Sequence, residues 1–240
     1  MKKLFAGALL VYSLASLAVS IIGHRGAAGY APENTLTSFA KAIECNVDMI
    51  EFDVWKCASG ELVVFHDAKL NALTNGYGYI TEKRLDELQK LSVLGCERIP
   101  TLLEVLDFVN QRVKVYIEIK DPAIAQDIVS VIEHYVNVKH WQYDDFLVAS
   151  FDHIQLRNIK AANSLIAVAA LFYGIPIDVA ALAVAIDARV VCLSIDFINQ
   201  SIVDAIHNCG MLVYVYTVND HDDSMRVLSY GIDGIITDYP

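Results

Sequence analysis

The sequence predicts an α/β fold of the TIM (β/α)8 barrel class. Three observations predict it: short apolar runs recur along the chain, segments that fit helices separate them, and polar residues collect at the carboxyl ends of the runs. Alternation of this kind calls for parallel strands, and eight such runs suggest a closed barrel over an open sheet.

The first run, Val19 to Ile22, precedes a helical stretch from Asn34 to Glu44. The second, Val47 to Val54, is followed across the turn Ala58-Ser59-Gly60 by Glu61 to Phe65, which reads as a hairpin extension. A helix over Thr101 to Gln111 leads to the third run, Val113 to Ile119, and one over Pro122 to Val138 to the fourth, Phe146 to Ala149. Helices over Asp152 to Ala162 and Pro176 to Ala188 flank the fifth, Leu165 to Leu171. Val190 to Ile195, a helix over Gln200 to Asn208, Met211 to Tyr216, a helix over Asp220 to Ser229 and Gly234 to Ile236 complete the pattern. No helix is expected after the eighth strand, so something else must cover the groove between it and the first. No Pro/Gly/Ser-rich linker divides residues 19–240, which are read as one domain.

Composition narrows the function. The 240 residues carry 18 Lys plus Arg against 29 Asp plus Glu, a formal charge of −11, and such a surface repels phosphate backbones. A nucleic-acid partner is therefore not expected. Hydrophobic residues make up 55% and charged ones 20%, which is globular, not disordered. The five cysteines show no C-x-x-C spacing, so neither a zinc ribbon nor a redox pair is suggested. Their odd number leaves at least one thiol free; most read as ordinary semi-buried residues, with one disulfide as the alternative in an exported chain.

Residues 1–18 read as an export leader. Lys2-Lys3 precede an uncharged apolar run, and Ser16 and Ala18 offer small residues for a cut after Ala18. A periplasmic or secreted protein is expected; an uncleaved membrane anchor, with membrane contact through this segment, is the alternative.

In a strand, residues two apart point the same way, so Glu51 and Asp53 aim together while Phe52 packs outward. Glu118 lies on the neighbouring strand. Three carboxylates in otherwise buried strands suit one hard divalent cation, Mg2+ or Ca2+. His24 ends the first strand and His66 the hairpin, where a pair of imidazoles can serve as acid and base at one scissile bond. His134, His140, His153, His207 and His221 are assigned no chemistry. Arg25 and Lys120 are cations suited to phosphate oxygens, with salt bridges to Glu33, Glu51 or Glu118 as the alternative. Ser150, Asp196, Thr217, Asn219, Thr237 and Asp238 complete the polar rim.

These residues resemble the glycerophosphodiester phosphodiesterase family. The resemblance rests on Gly23-His24-Arg25-Gly26, Pro32-Glu33-Asn34-Thr35, Asp48 to Val54, Val63-Val64-Phe65-His66-Asp67, Ile99 to Leu102, Glu118-Ile119-Lys120, Ser150-Phe151-Asp152 and Gly234 to Pro240. It implies a barrel enzyme that hydrolyses small glycerophosphodiesters to glycerol 3-phosphate and an alcohol. Glu51, Asp53 and Glu118 would be its metal ligands, and His24 and His66 its acid and base. Arg25 and Lys120 would contact phosphate, and Glu33 and Asn34 would support the site. Tyr216 stands where the family usually carries Trp, which leaves an aromatic wall. The segment between His66 and Ile99 is short, with little room for a large capping insertion. Lysophospholipase D activity on the same barrel, or a non-catalytic ligand-binding barrel, are the competing functions.

Overall fold

A computed structural model describes residues 19–240, and the expectations placed on residues 1–18 lie outside them. The strands are β1 (Ser20–Gly23), β2 (Met49–Lys56), β3 (Leu62–Val64), β4 (Lys114–Ile119), β5 (Phe146–Ser150), β6 (Ala167–Phe172), β7 (Val190–Ser194), β8 (Leu212–Tyr216) and β9 (Gly234–Thr237). All but β3 run parallel in the order β1-β9-β8-β7-β6-β5-β4-β2, and a β1–β2 pairing closes the ring. The expected TIM barrel is thus present, with β3 antiparallel to β2 as the expected hairpin.

The helices are α1 (Leu36–Glu44), α2 (Leu85–Leu88), α3 (Leu102–Val109), α4 (Ala125–Lys139), α5 (His153–Ala162), α6 (Val179–Val184), α7 (Gln200–His207) and α8 (His221–Leu228). Their starts are set by side-chain caps: Thr35, Thr101, Asp152, Asp178, Asn199 and Asp220 each accept a backbone N–H of the first turn. This shortens α6 from both ends. Asp178 caps it two residues after Pro176, and the positive φ of Asp187, 53°, lies beyond its C-terminus, so it does not span Pro176 to Ala188. No helix among the described residues is long and apolar enough to cross a membrane.

Period-two alternation sorts each strand between two cores. On β2, Ile50, Phe52 and Val54 face outward into the strand–helix layer, whereas Met49 faces the barrel axis. Inside, Ile22, Tyr116, Leu147, Ala169, Val190, Cys192 and Ile236 fill the barrel, so it is packed, not hollow. Among the described residues no helix follows β9, yet Ile235 on its outer face is only 6% exposed, in a cluster that also takes in Ile21, Val227 and Tyr230. The segment after β3 forms a third, small core around Phe65, Leu70, Ile80, Leu88, Val93 and Ile99. It is therefore a packed buttress behind the hairpin. All five cysteines are free thiols, and Cys57 and Cys192 are buried, which disposes of the disulfide alternative.

Candidate active site

Barrel register brings the three predicted carboxylates together. Asp53 pairs with Glu118 across β2 and β4, and Glu51 pairs with Tyr116 one step below. An oxygen from each of Glu51, Asp53 and Glu118 lies within 4.8 Å of the others. Glu51 and Asp53 are 2% and 1% exposed, so neither can shed its charge into water. Glu51 Oε1 has no hydrogen-bond partner, an orphaned buried acceptor that a cation would satisfy. The donor set is all oxygen and anionic, so it fits a hard divalent metal ion.

The turn after β1 supplies the opposing cation. Arg25 adopts a left-handed φ of 49° and Asn34 one of 58°, conformations that non-glycine residues hold only when the surroundings impose them. At Arg25 the strain is compensated: its backbone N–H donates to Glu51 Oε2 at 2.7 Å, and its guanidinium reaches Glu33 at 2.7 Å. Asn34 is buried; its Nδ2 donates to Asp53 Oδ2 at 2.9 Å while its Oδ1 accepts from the Asp53 N–H at 3.3 Å. Gly26 has a φ of 91°, and a Cβ there would press into Ser38 of α1. Ser38 Oγ in turn donates to the Arg25 carbonyl, so α1 holds the turn against the strand ends.

Electrostatics differ among the three acids. Burial, reinforced by Asp53 and Glu118, pushes Glu51 well above the usual carboxylate range. Burial and the Asp53 charge bring Glu118 up to about 7, although Lys120 beside it works against the rise. Burial acts upward on Asp53 as well, yet Lys120, His66, Arg25 and the Asn34 hydrogen bond outweigh it and hold the group below its ordinary value. Lys120 lies 3.2 Å from Asp53 and 2.5 Å from Glu118. The salt-bridge alternative is therefore realised for Arg25 with Glu33 and for Lys120 with Glu118, and the same two side chains still line the open pocket.

Both histidines face that pocket, each backed by a carboxylate. His24 Nδ1 lies 2.7 Å from Asp238, and His66 Nδ1 lies 2.8 Å from Asp67. A carboxylate at Nδ1 fixes the ring and its tautomer and leaves Nε2 for proton exchange. Burial, with Lys120 and Arg25 nearby, lowers His66 despite the opposing pull of Asp53. The position of His66 follows from the hairpin, because the Phe65 N–H bonds the Asp53 carbonyl and the Trp55 indole bonds the His66 carbonyl.

Sequence reasoning places Asp238 on the rim without giving it a partner; its proximity to His24 requires the β1–β9 pairing. Asn219 then braces Asp238, donating to its carboxylate and accepting from its N–H. Phe151 is marked only as part of the Ser150-Phe151-Asp152 motif and Tyr116 not at all, yet both line the pocket with Leu171, Tyr216 and Ile236. Ser150 does structural work, donating to the Ile119 carbonyl and accepting from the Asp152 N–H. The pocket encloses about 200 Å³, the scale of a small molecule.

Known proteins share this arrangement of strands and sequence. A glycerophosphodiester phosphodiesterase of Caldanaerobacter subterraneus is 31% identical over 233 residues, covering 92% of this chain and 94% of the relative. One from Bacillus subtilis is 30% identical, covering 91% and 83%. An Oleispira antarctica phosphodiesterase solved in complex with the product sn-glycerol-3-phosphate is 30% identical with a TM-score of 0.84, covering 92% of this chain and 93% of that one. The pattern of the Glycerophosphoryl diester phosphodiesterase family matches residues 24–240, from the first rim histidine through the end of the barrel. With all the strands but β1 and every rim residue inside that span, the chain belongs to the glycerophosphoryl diester phosphodiesterase family.

Proposed function

We propose that the chain hydrolyses glycerophosphodiesters to glycerol 3-phosphate and an alcohol with the help of one divalent cation, Mg2+ or Ca2+. The observation that carries this reading is the meeting of a three-carboxylate cluster and two carboxylate-backed histidines in one small pocket. Glu51, Asp53 and Glu118 would hold the cation, which, when bound, neutralises charge on the phosphoryl oxygens. Arg25 and Lys120 contact the phosphate from the same side, each kept in place by a carboxylate. Glu33 fixes the guanidinium and Asn34 fixes Asp53. Tyr216 walls the pocket opposite these charges.

His24 and His66 divide the proton transfers. One takes the proton of the attacking oxygen as it bonds to phosphorus, and the other protonates the alcohol oxygen as its bond to phosphorus breaks. Asp238 and Asp67 each stabilise the imidazolium form of the ring they face. Release of the alcohol from a glycerophosphodiester by the purified chain, abolished by chelation and restored by Mg2+ or Ca2+, tests the reading. Turnover unaffected by chelation would reject the cation.

We propose further that residues 1–18 are an export leader, supported by the basic start, the apolar run and the small residues at Ser16 and Ala18. Ser20 opens β1 at the amino-terminal mouth of the barrel, the end opposite the pocket. The N-terminal mass of protein recovered from its native cell tests this: a chain beginning near Val19 is expected. An intact Met1 in the cytoplasmic fraction would reject it.

A further inference from the structure

Around the pocket mouth, the loops after β5, β6 and β7 leave aromatic rings in solvent that neither the core nor the proposed reaction uses. Phe151, Tyr173 and Phe197 are 47%, 68% and 43% exposed, although the strand residues just before them are buried. Tyr173 and Phe197 meet edge to face with centroids 6.0 Å apart, and Phe151 meets Tyr216 the same way at 6.2 Å. Two hydrogen bonds tie the pairs together. The Tyr216 hydroxyl donates to the carbonyl of Phe172, the residue before Tyr173, at 3.0 Å. The Tyr216 carbonyl accepts from the N–H of Ile195, the residue before Asp196, at 2.8 Å. Four rings and one carboxylate thus share an arc that runs from the pocket wall outward.

Asp196 differs from its neighbours on the rim. Asp152, Asp178 and Asp220 each cap a helix, and α7 is capped by Asn199 instead. The Asp196 carboxylate accepts a hydrogen bond from Ser194 at 3.1 Å, and no Lys, Arg or His among the described residues forms a salt bridge with it. Across the pocket, Arg25 and Lys120 supply the positive charge. Cations thus line the pocket on the β1–β4 side, and outside it on the β5–β8 rim an exposed carboxylate without a salt bridge among the described residues stands beside the aromatic rings.

Aromatic faces attract a cation through their quadrupole, and they do so best for one with no hydrogen-bond donors to satisfy. A primary ammonium would need three acceptors, and a neutral polyol would gain nothing from the ring quadrupoles or from the Asp196 charge. We infer that this arc is the subsite for a quaternary ammonium alcohol, so that the favoured glycerophosphodiester is one whose leaving alcohol carries a trimethylammonium group, as choline does. The inference rests on the diesterase activity proposed above and adds the identity of the leaving alcohol.

The test compares kcat/KM of the intact cation-loaded chain for glycerophosphocholine, glycerophosphoethanolamine and glycerophosphoglycerol. The choline ester is expected to lead the glycerol ester about tenfold, the worth of one to two cation–π contacts. Tyr173→Leu, Phe197→Leu and Asp196→Asn, all at exposed positions, should each shrink that ratio roughly threefold or more. Free choline should inhibit more strongly than its neutral isostere 3,3-dimethylbutan-1-ol. A ratio unchanged in all three variants, a preference for the ethanolamine ester, or equal inhibition by the isostere would overturn the subsite. If the wild type turned over none of the diesters, the activity itself would fall, and choline titrated into the chain by calorimetry would still decide the subsite: heat lost in Asp196→Asn upholds it, and no binding rejects it.

Discussion

Glu51 shows how much a single buried side chain is asked to do. One carboxylate oxygen is bound by the Arg25 N–H, the other has no partner, and burial, reinforced by Asp53 and Glu118, raises its proton affinity. Glu51→Gln should therefore weaken cation binding, read by calorimetry, and lower turnover in parallel. Retention of full activity after chelation and return of the metal would remove Glu51 from the ligand set. His24→Ala and His66→Ala should each lower kcat by roughly 10²- to 10⁴-fold, the usual worth of a positioned acid or base. Asp238→Asn leaves the ring in place but takes away the charge 2.7 Å from it. A lower kcat with a displaced limb of the pH–rate profile is expected. An unchanged profile would make Asp238 a structural residue only.

At the scale of elements, the turn joining β1 to α1 concentrates the strain of the site. Arg25 and Gly26 both carry positive φ, and the second is enclosed by Ser38. Gly26→Ala should destabilise the fold by about 1–3 kcal/mol, because it adds a Cβ contact to an unfavourable backbone conformation. Gly60 also has positive φ, but nothing lies within 4 Å of the place its Cβ would take, so Gly60→Ala isolates the backbone cost. Denaturant midpoints that fall equally for the two variants would show that packing against α1 is unimportant. The strands of this region were legible because their period-two pattern is local. The end of α6 was not legible, because it depends on the Asp178 cap and the turn at Asp187.

At the scale of the molecule, the carboxylate cluster couples stability to pH and to cation. Glu118 titrates near 7 in the fold against an ordinary value of 4.5. A group raised on folding contributes stability that is fully present below its unfolded pKa and lost as pH rises through the folded one. The chelated chain should thus lose stability from this group between about pH 4.5 and 7. Asp53, lowered on folding, acts only near and below its ordinary 3.8 and does not oppose the trend in that window. Added Mg2+ or Ca2+ should raise Tm more at about pH 7.5 than at about pH 5, since the cation competes with protons for the same oxygens. Melting scans with and without chelator check this, and a cation-induced gain that is larger at the acid pH would contradict it.

The sequence by itself determined the barrel, the strand order along the chain and most of the charged site. Residues two apart in a strand point the same way, so Glu51 and Asp53 could be placed on one face from spacing alone, with Glu118 assigned to the neighbouring strand, and the motifs around His24 and His66 marked the rim. Only the tertiary structure decided what those residues meet. His24 and Asp238 are 214 positions apart and come together because β9 closes on β1. Pairing of β5 through β8 likewise sets Phe151 beside Tyr216 and Tyr173 beside Phe197, from different strand ends. Spacing fixes direction within a strand, whereas partners across a barrel depend on register and closure, which are set by contacts distant in sequence.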